Sequence, residues 1–266
     1  MKYVLILFVL LAACAPDTDD ARYLPMPEAL AEISGLAVAS PNSVFAHDDE
    51  SAVIHEVSLE DGQVLRSFAL GNPVIEDDIE GIAANGDSIW IINSEGVIRA
   101  LRAGRDQTRV VHRQYDTGIG EHCEVEGLSL SPRPGNLLIV CKNMYEGDRR
   151  GTLVIYEWDA ETHEPVGAPW RQIPLAQALR AERIDFAPSG IEWLPDYEQI
   201  LVISARGRSM LVLDRDGGIV ARHRLNMINH PQSEGVTVVG SDRLVIADEG
   251  QQGEPGQIAI YPFPLG

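Results

Sequence analysis

Basic residues are scarce in this chain. Only 21 Lys and Arg stand against 40 Asp and Glu, a formal net charge of −19. That deficit argues against nucleic acid as a partner, because binding there relies on Lys and Arg neutralising phosphates. It argues equally against direct docking on anionic lipid. Long apolar runs are missing too. The run from Val4 to Ala13 falls well short of the about 20 residues that a membrane-spanning helix needs. No Gly-x-Ser-x-Gly elbow, His-Glu-x-x-His or phosphate-cradling glycine loop is present, which removes the common serine hydrolases, zinc proteases and nucleotide-binding loops. Cysteine occurs three times, at 14, 123 and 141. The four tryptophans read as core packing rather than a ligand cage.

The N-terminus has the form of an export signal. Lys2 precedes the apolar run, and the run stops at Leu11-Ala12-Ala13-Cys14. This junction resembles the lipobox of bacterial lipoproteins, which implies a signal peptide over 1–13 and a lipid on Cys14. By the same resemblance, Ala15 implies sorting to the outer membrane, facing the periplasm. Residues 14–28, polar and Pro-containing, then form the lipidated Cys and its tether. The remaining span, 29–266, is long enough for one large all-β domain. In an oxidising compartment Cys123 and Cys141 can bridge, and one expected hairpin carries both; two separate buried thiols are the alternative.

A repeat dominates the rest. Five segments share a motif ending in Gly and an aliphatic residue: 32–36 EISGL, 78–82 DIEGI, 124–128 EVEGL, 188–191 PSGI and 232–236 QSEGV. Their glycines, at 35, 81, 127, 190 and 235, are spaced by 46, 46, 63 and 45 residues. Spacing in this range signals an array, solenoid or propeller. Each motif opens a short strand, followed by a turn and a nearly continuous apolar strand: SVFAH, SIWII, NLLIVC, QILVIS or RLVIA. Such strands suit burial on both faces. A third strand follows in every unit and a fourth in the first four, which is the make-up of a propeller blade. The expected fold is therefore an all-β, five-bladed β-propeller, with six blades as the alternative because the third unit is long. Its extra segment, 176–183, reads as a short helix. The fifth unit lacks a fourth strand, and 21–27, ARYLPMP, is placed to supply it and close the ring.

The five motifs in this order, with their matching second strands, resemble the SdiA-regulated (YjiK-like) family of bacterial envelope propellers. The resemblance implies a five-bladed propeller with a link to calcium. It leaves the biochemical activity open.

In a propeller, equivalent inner-strand positions meet around one axis. Ser34, Glu80, Glu126, Ser189 and Glu234 are such a set, and their hard oxygens suit calcium. The alternative is structural, with the carboxylates capping backbone and the glycines allowing close approach. A second set ends the second strands: His47, Asp48, Asp49 and Glu50, then Asn93, Glu95, Asn143, Arg206, Asp248 and Glu249, with Glu76, Asp77 and Asp78 leading into the second motif. Loops at one end of a rigid scaffold are where binding residues gather. Asp48, Asp49, Asp248 and Glu249 are candidate metal ligands alongside Glu80, Glu126 and Glu234. Lys142 and Arg206 could instead grip an anionic group. His47 is the one candidate general base. Three functions stay open: a calcium-binding envelope protein that binds or senses a small ligand, a scaffold for another envelope protein, or a metal-dependent phosphoesterase or esterase.

Overall fold

The structure, a computed structural model, describes residues 21–145, 151–179, 185–251 and 253–264. The signal segment 1–13 and Cys14 lie outside the described residues. Strand β1 is Arg22–Pro25. Blade 1 holds β2 (Ile33–Ser40), β3 (Ser43–Asp48), β4 (Val53–Ser58) and β5 (Val64–Leu70). Blade 2 holds β6 (Ile79–Asn85), β7 (Ser88–Asn93) and β8 (Val97–Arg102); β9 (Thr108–Val110) then crosses back to run parallel to β5, and β10 (His112–Asp116) completes blade 2. Blade 3 holds β11 (Cys123–Leu130), β12 (Asn136–Met144) and β13 (Thr152–Asp159), with β14 (Glu164–Pro165) and β15 (Arg171–Pro174) sharing its outer edge. Blade 4 comprises β16 (Gly190–Leu194), β17 (Gln199–Ser204), β18 (Ser209–Asp214) and β19 (Ile219–Arg224). Blade 5 comprises β20 (Ser233–Val239), β21 (Arg243–Asp248) and β22 (Gln257–Pro262).

The fourth strand of blade 5 is β1, antiparallel to β22 with Arg22 opposite Ile260. The expected closure is thus present, and it moves the domain boundary. The tether drawn over 14–28 is too long, because from Arg22 onward the chain already belongs to a sheet, followed by a 3-10 turn at Glu28–Leu30. The blade number is five: the described residues form five sheets. The long third unit is absorbed by its paired outer strands and by a short helix, α1 (Leu175–Ala178), which starts where the sequence placed one. Residues 180–183 of the expected helix lie outside the described residues.

Five hydrophobic clusters fill the five gaps between neighbouring blades. Strand alternation does the sorting. On β17, Leu201 and Ile203 pack toward blade 5 while Ile200 and Val202 pack toward blade 3. A strand sandwiched in this way is apolar at every position, which is the pattern the second strands carry. Cys123 and Cys141 are joined in a disulfide, with Cα atoms 5.8 Å apart, inside the cluster between blades 2 and 3.

The motif glycines are fixed by the ring. A Cβ on Gly81 would lie 2.5 Å from the backbone nitrogen of Leu128 in the next blade, and one on Gly190 would lie 2.5 Å from the carbonyl oxygen of Glu234. Real Cβ atoms do not approach so closely, so each inner strand meets its neighbour backbone to backbone. The axis between them is tight, an opening of about 10 Å³ lined by the motif residues, which is room for about one water.

Candidate functional site

Acidic members of both expected residue sets face the same mouth of the axis. In four of the five blades the residue before the motif glycine lies at a β-bulge, blade 4 being regular: Ile79 pairs with Asn93 and Gly81 with Ile92, leaving Glu80 unmatched. Ser34 and Glu234 are displaced in the same way. The register of β11 slips between Val125 and Leu128, around Glu126. A bulge re-aims a side chain that the pleat would send into the sheet. Three carboxylates are so directed to the axis.

These carboxylates feel one another. Burial pushes the Glu80 carboxyl well above the usual range, and the charges of Glu126 and Asp78 add to this. Burial likewise raises Glu126, against the pull of Lys142. Glu234 is pushed up to about 8, first by burial, then by Glu80 and Glu249, with Lys142 opposing. Ser34 donates to Glu80 Oε2 at 3.3 Å. Ser189 turns aside and donates to the carbonyl of Ser233 at 2.6 Å.

Lys142 stands at the centre. Its Nζ hydrogen-bonds Glu126 Oε1 and lies 3.7 Å from Glu124. Burial favours its neutral form, but Glu126, Glu124 and Glu80 outweigh that and hold its pKa above the ordinary lysine value. The chain has two lysines, Lys2 and Lys142, and the second is placed among acids. That scarcity was the signal in the sequence. Lys142 is therefore the counter-ion of the carboxylates rather than an isolated grip for an anion.

The rim adds further acid. Asp48, Asp49, Glu50, Glu76, Asp77 and Asp78 line one groove between blades 1 and 2. Backbone bonds from Asp77 to Glu50 (3.1 Å) and from Ile79 to Asp49 (2.7 Å) hold the two loops together. Asp48 Oδ1 accepts from the backbone and hydroxyl of Ser51, at 2.9 and 3.1 Å. Asp49 is pushed up to about 6 by burial and by Glu32. Glu249, bonded by Gln232, is raised by burial and by Asp49. Asp49 and Asp78 both act on Glu80, so groove and axis form a single acidic mouth. Within the groove, Asp77 is already committed to Arg99 at 2.5 Å and Asn93 at 3.0 Å. Asn143 donates to Glu124 at 2.6 Å.

Two expected residues stand apart. Asp248 is fully buried, and its carboxylate meets His230 Nδ1 at 2.7 Å. His230 Nε2 meets the Tyr261 hydroxyl at 2.7 Å, which meets that of Tyr23 at 3.0 Å. This chain of polar contacts ties β1 to blade 5 and takes Asp248 away from the mouth. Asp248 and Glu249 are adjacent in sequence, but their side chains point in different directions, one to His230 and one toward Asp49. His47 is 1% exposed and pairs across the sheet with Gly35, a position filled by Ile92, Ile203 and Ala247 in other blades. Its Nδ1 meets the carbonyl of Asp48 at 2.8 Å, and burial pushes its pKa down to about 4. A neutral ring packed between blades has no access to a substrate, so this placement favours a packing role over a general base.

Carboxylate oxygens are the donors a hard cation prefers. Glu126 Oε2 and Asp49 Oδ1 are buried and have no hydrogen-bond partner. Among the described residues, however, no three His, Cys, Asp or Glu side chains converge closely enough to hold a metal as they stand. The donor chemistry fits calcium; the arrangement is closed by Lys142.

The fold and site define a five-bladed β-propeller with an acidic axial mouth. Residues 174–254 match the SdiA-regulated family, and the propeller fold is consistent with it. Among solved structures, the chain resembles Myxococcus xanthus glutaminyl cyclase at 16% identity, covering 91% of this chain and 96% of that one with a TM-score of 0.61. It also resembles a luciferin-regenerating enzyme at 9% identity, covering 92% and 96% with a TM-score of 0.56. At these identities the likeness is one of fold. No curated protein matches the sequence. Among the described residues no helix is long and apolar enough to cross a membrane.

Proposed function

We propose that this chain is an envelope-anchored binding propeller whose acidic mouth takes a cation, calcium foremost. In this reading the lipid on Cys14 holds the domain at the periplasmic face of the outer membrane, and the mouth presents a cation-dependent surface to a small ligand or an envelope protein. The observation that carries it is the buried Glu126, bonded to the Lys142 ammonium through one oxygen with Oε2 left unpartnered, while Glu80 and Glu234 lie near enough for the same charge to act on them. Three such carboxylates repel one another unless a cation sits among them. Lys142 supplies one positive charge, and a divalent ion supplies two. Calcium therefore binds by displacing the Lys142 ammonium toward solvent.

The test uses the domain from residue 21 onward. Reductive ¹³C-methylation labels the amino terminus and Lys142 alone, since Lys2 is absent from that chain. Calcium is titrated after EDTA treatment while the Lys142 methyl signal and the melting temperature are followed. The expected result is a saturable shift of that signal with a rise in melting temperature, both lost in Glu126→Gln. An unmoved signal and an unchanged melt overturn the cation reading.

A further inference from the structure

The repeat places a second ring of equivalent residues two positions after each motif glycine: Ala37, Ala83, Ser129, Glu192 and Thr237. This ring lies beyond the axial constriction, at the end opposite the acidic mouth. Two alanines leave space there. A cavity of about 190 Å³ opens against them, walled by Val38, Ala84, Leu130, Trp193, Tyr197 and Val238. Glu192 reaches into its innermost layer. Its two oxygens accept from Ser129 Oγ at 3.1 Å and Thr237 Oγ1 at 3.0 Å, one hydroxyl from each neighbouring blade. Ser129 is itself held, accepting from the backbone N–H of Trp193 at 2.8 Å. The carboxyl is thus a built feature with a fixed direction.

We infer that this cavity binds a small organic cation with an apolar body, whose ammonium group pairs with Glu192. The argument is one of charge complementarity. None of the described lining residues is basic, and the lining charges, Glu192 and Asp196, are both acidic. Two hydroxyls do not neutralise a carboxylate, and burial raises Glu192 to about 7. A neutral apolar ligand would desolvate the carboxyl further without pairing it, which is costly. An ammonium supplies the charge the fold omits. The alanines and aliphatic walls take the apolar body, with Trp193 and Tyr197 lining the outer layer around it. Nothing here depends on calcium or on the other mouth.

The probe is phenethylamine, with phenethyl alcohol as its uncharged counterpart, titrated calorimetrically into the domain from residue 21 onward. The amine is expected to bind saturably and at least about tenfold tighter than the alcohol, the scale of one charge-assisted hydrogen bond. Glu192→Gln, nearly isosteric, erases that preference. Ala84→Phe fills the cavity and removes binding of both compounds while the melting temperature stays near that of the parent. Glu126→Gln leaves the amine bound. The inference is overturned if neither compound saturates, if both bind equally, or if the preference survives in Glu192→Gln. Loss of amine binding in Glu126→Gln with retention in Glu192→Gln overturns it as well, because the amine then sits in the acidic mouth.

Discussion

Replacing Lys142 by Met keeps the unbranched stem out to its fourth atom and removes the ammonium group, so it tests chiefly the electrostatics of the mouth. Lys142 is 30% exposed at the side chain and Glu126 only 3%. Breaking a fully buried pair costs about 3–5 kcal/mol, whereas a solvated pair is worth about 0–1 kcal/mol. A pair with one partner buried and one partly solvated falls between, at about 2 kcal/mol, or roughly 5 °C in melting temperature for a domain of this size. The loss depends on pH in a defined sense. The carboxyl of Glu234 moves from an ordinary value of 4.5 to about 8 in the fold, and Glu80 and Glu126 are raised with it. Groups raised by folding stabilise the fold below their unfolded pKa, and that contribution is lost as pH rises through the folded value. Parent stability therefore declines between pH 5 and pH 9 in EDTA. Lys142→Met makes the decline steeper, because the ammonium no longer offsets the charges that appear. Urea unfolding followed by tryptophan fluorescence should show the loss of about 2 kcal/mol at pH 8 and less than about 1 kcal/mol at pH 5. Equal losses at both pH values would refute the reasoning and reduce Lys142 to packing.

Three further perturbations read other parts of the ring. Gly81→Ala forces a Cβ to within 2.5 Å of the Leu128 backbone and should cost about 3 kcal/mol or more, seen in a thermal melt. Reducing the disulfide frees a loop spanning 18 residues and should cost about 3 kcal/mol, measured with and without dithiothreitol. Tyr261→Phe removes the hydroxyl between His230 and Tyr23, leaves His230 Nε2 unpaired and should cost about 1–3 kcal/mol in urea; an unchanged midpoint would show that this contact contributes nothing to closure.

Much of the architecture was legible because it repeats. The five motifs favoured five blades over six, the missing fourth strand of the last unit pointed to 21–27, and the apolar second strands reported burial on both faces. The repeat also brought Glu80, Glu126 and Glu234 to one axis. What it could not convey was the partner of each side chain. Asp248 and Glu249 are adjacent, yet one turns to His230 in the blade and the other to the mouth, which depends on the direction in which each leaves its strand. His47 looks like a loop residue among acids but fills an interior position that is Ile or Ala elsewhere. Glu192 lies outside the motif that ends in the glycine and its aliphatic neighbour. The same register, read two residues further on, marks it as the one acid in a ring otherwise made of Ala, Ser and Thr. Lys142 was visible as a cation, but its role as counter-ion depends on carboxylates 16 and 18 residues away on the neighbouring strand.

The strand that closes the ring also sets a schedule. Tyr23 and Tyr261 touch across 238 positions of sequence. At roughly 5–20 residues per second, synthesis alone separates their appearance by roughly 10–50 s. For all of that interval β1 is an orphan edge, and the other four sheets, whose strands are contiguous or nearly so, can form before it finds its place. The first segment of the domain to be made is the last to be used. A ring sealed by its own ends thus joins its earliest-made strand to its latest, and whatever delays or clips either end leaves a nearly complete propeller with an open, adhesive seam.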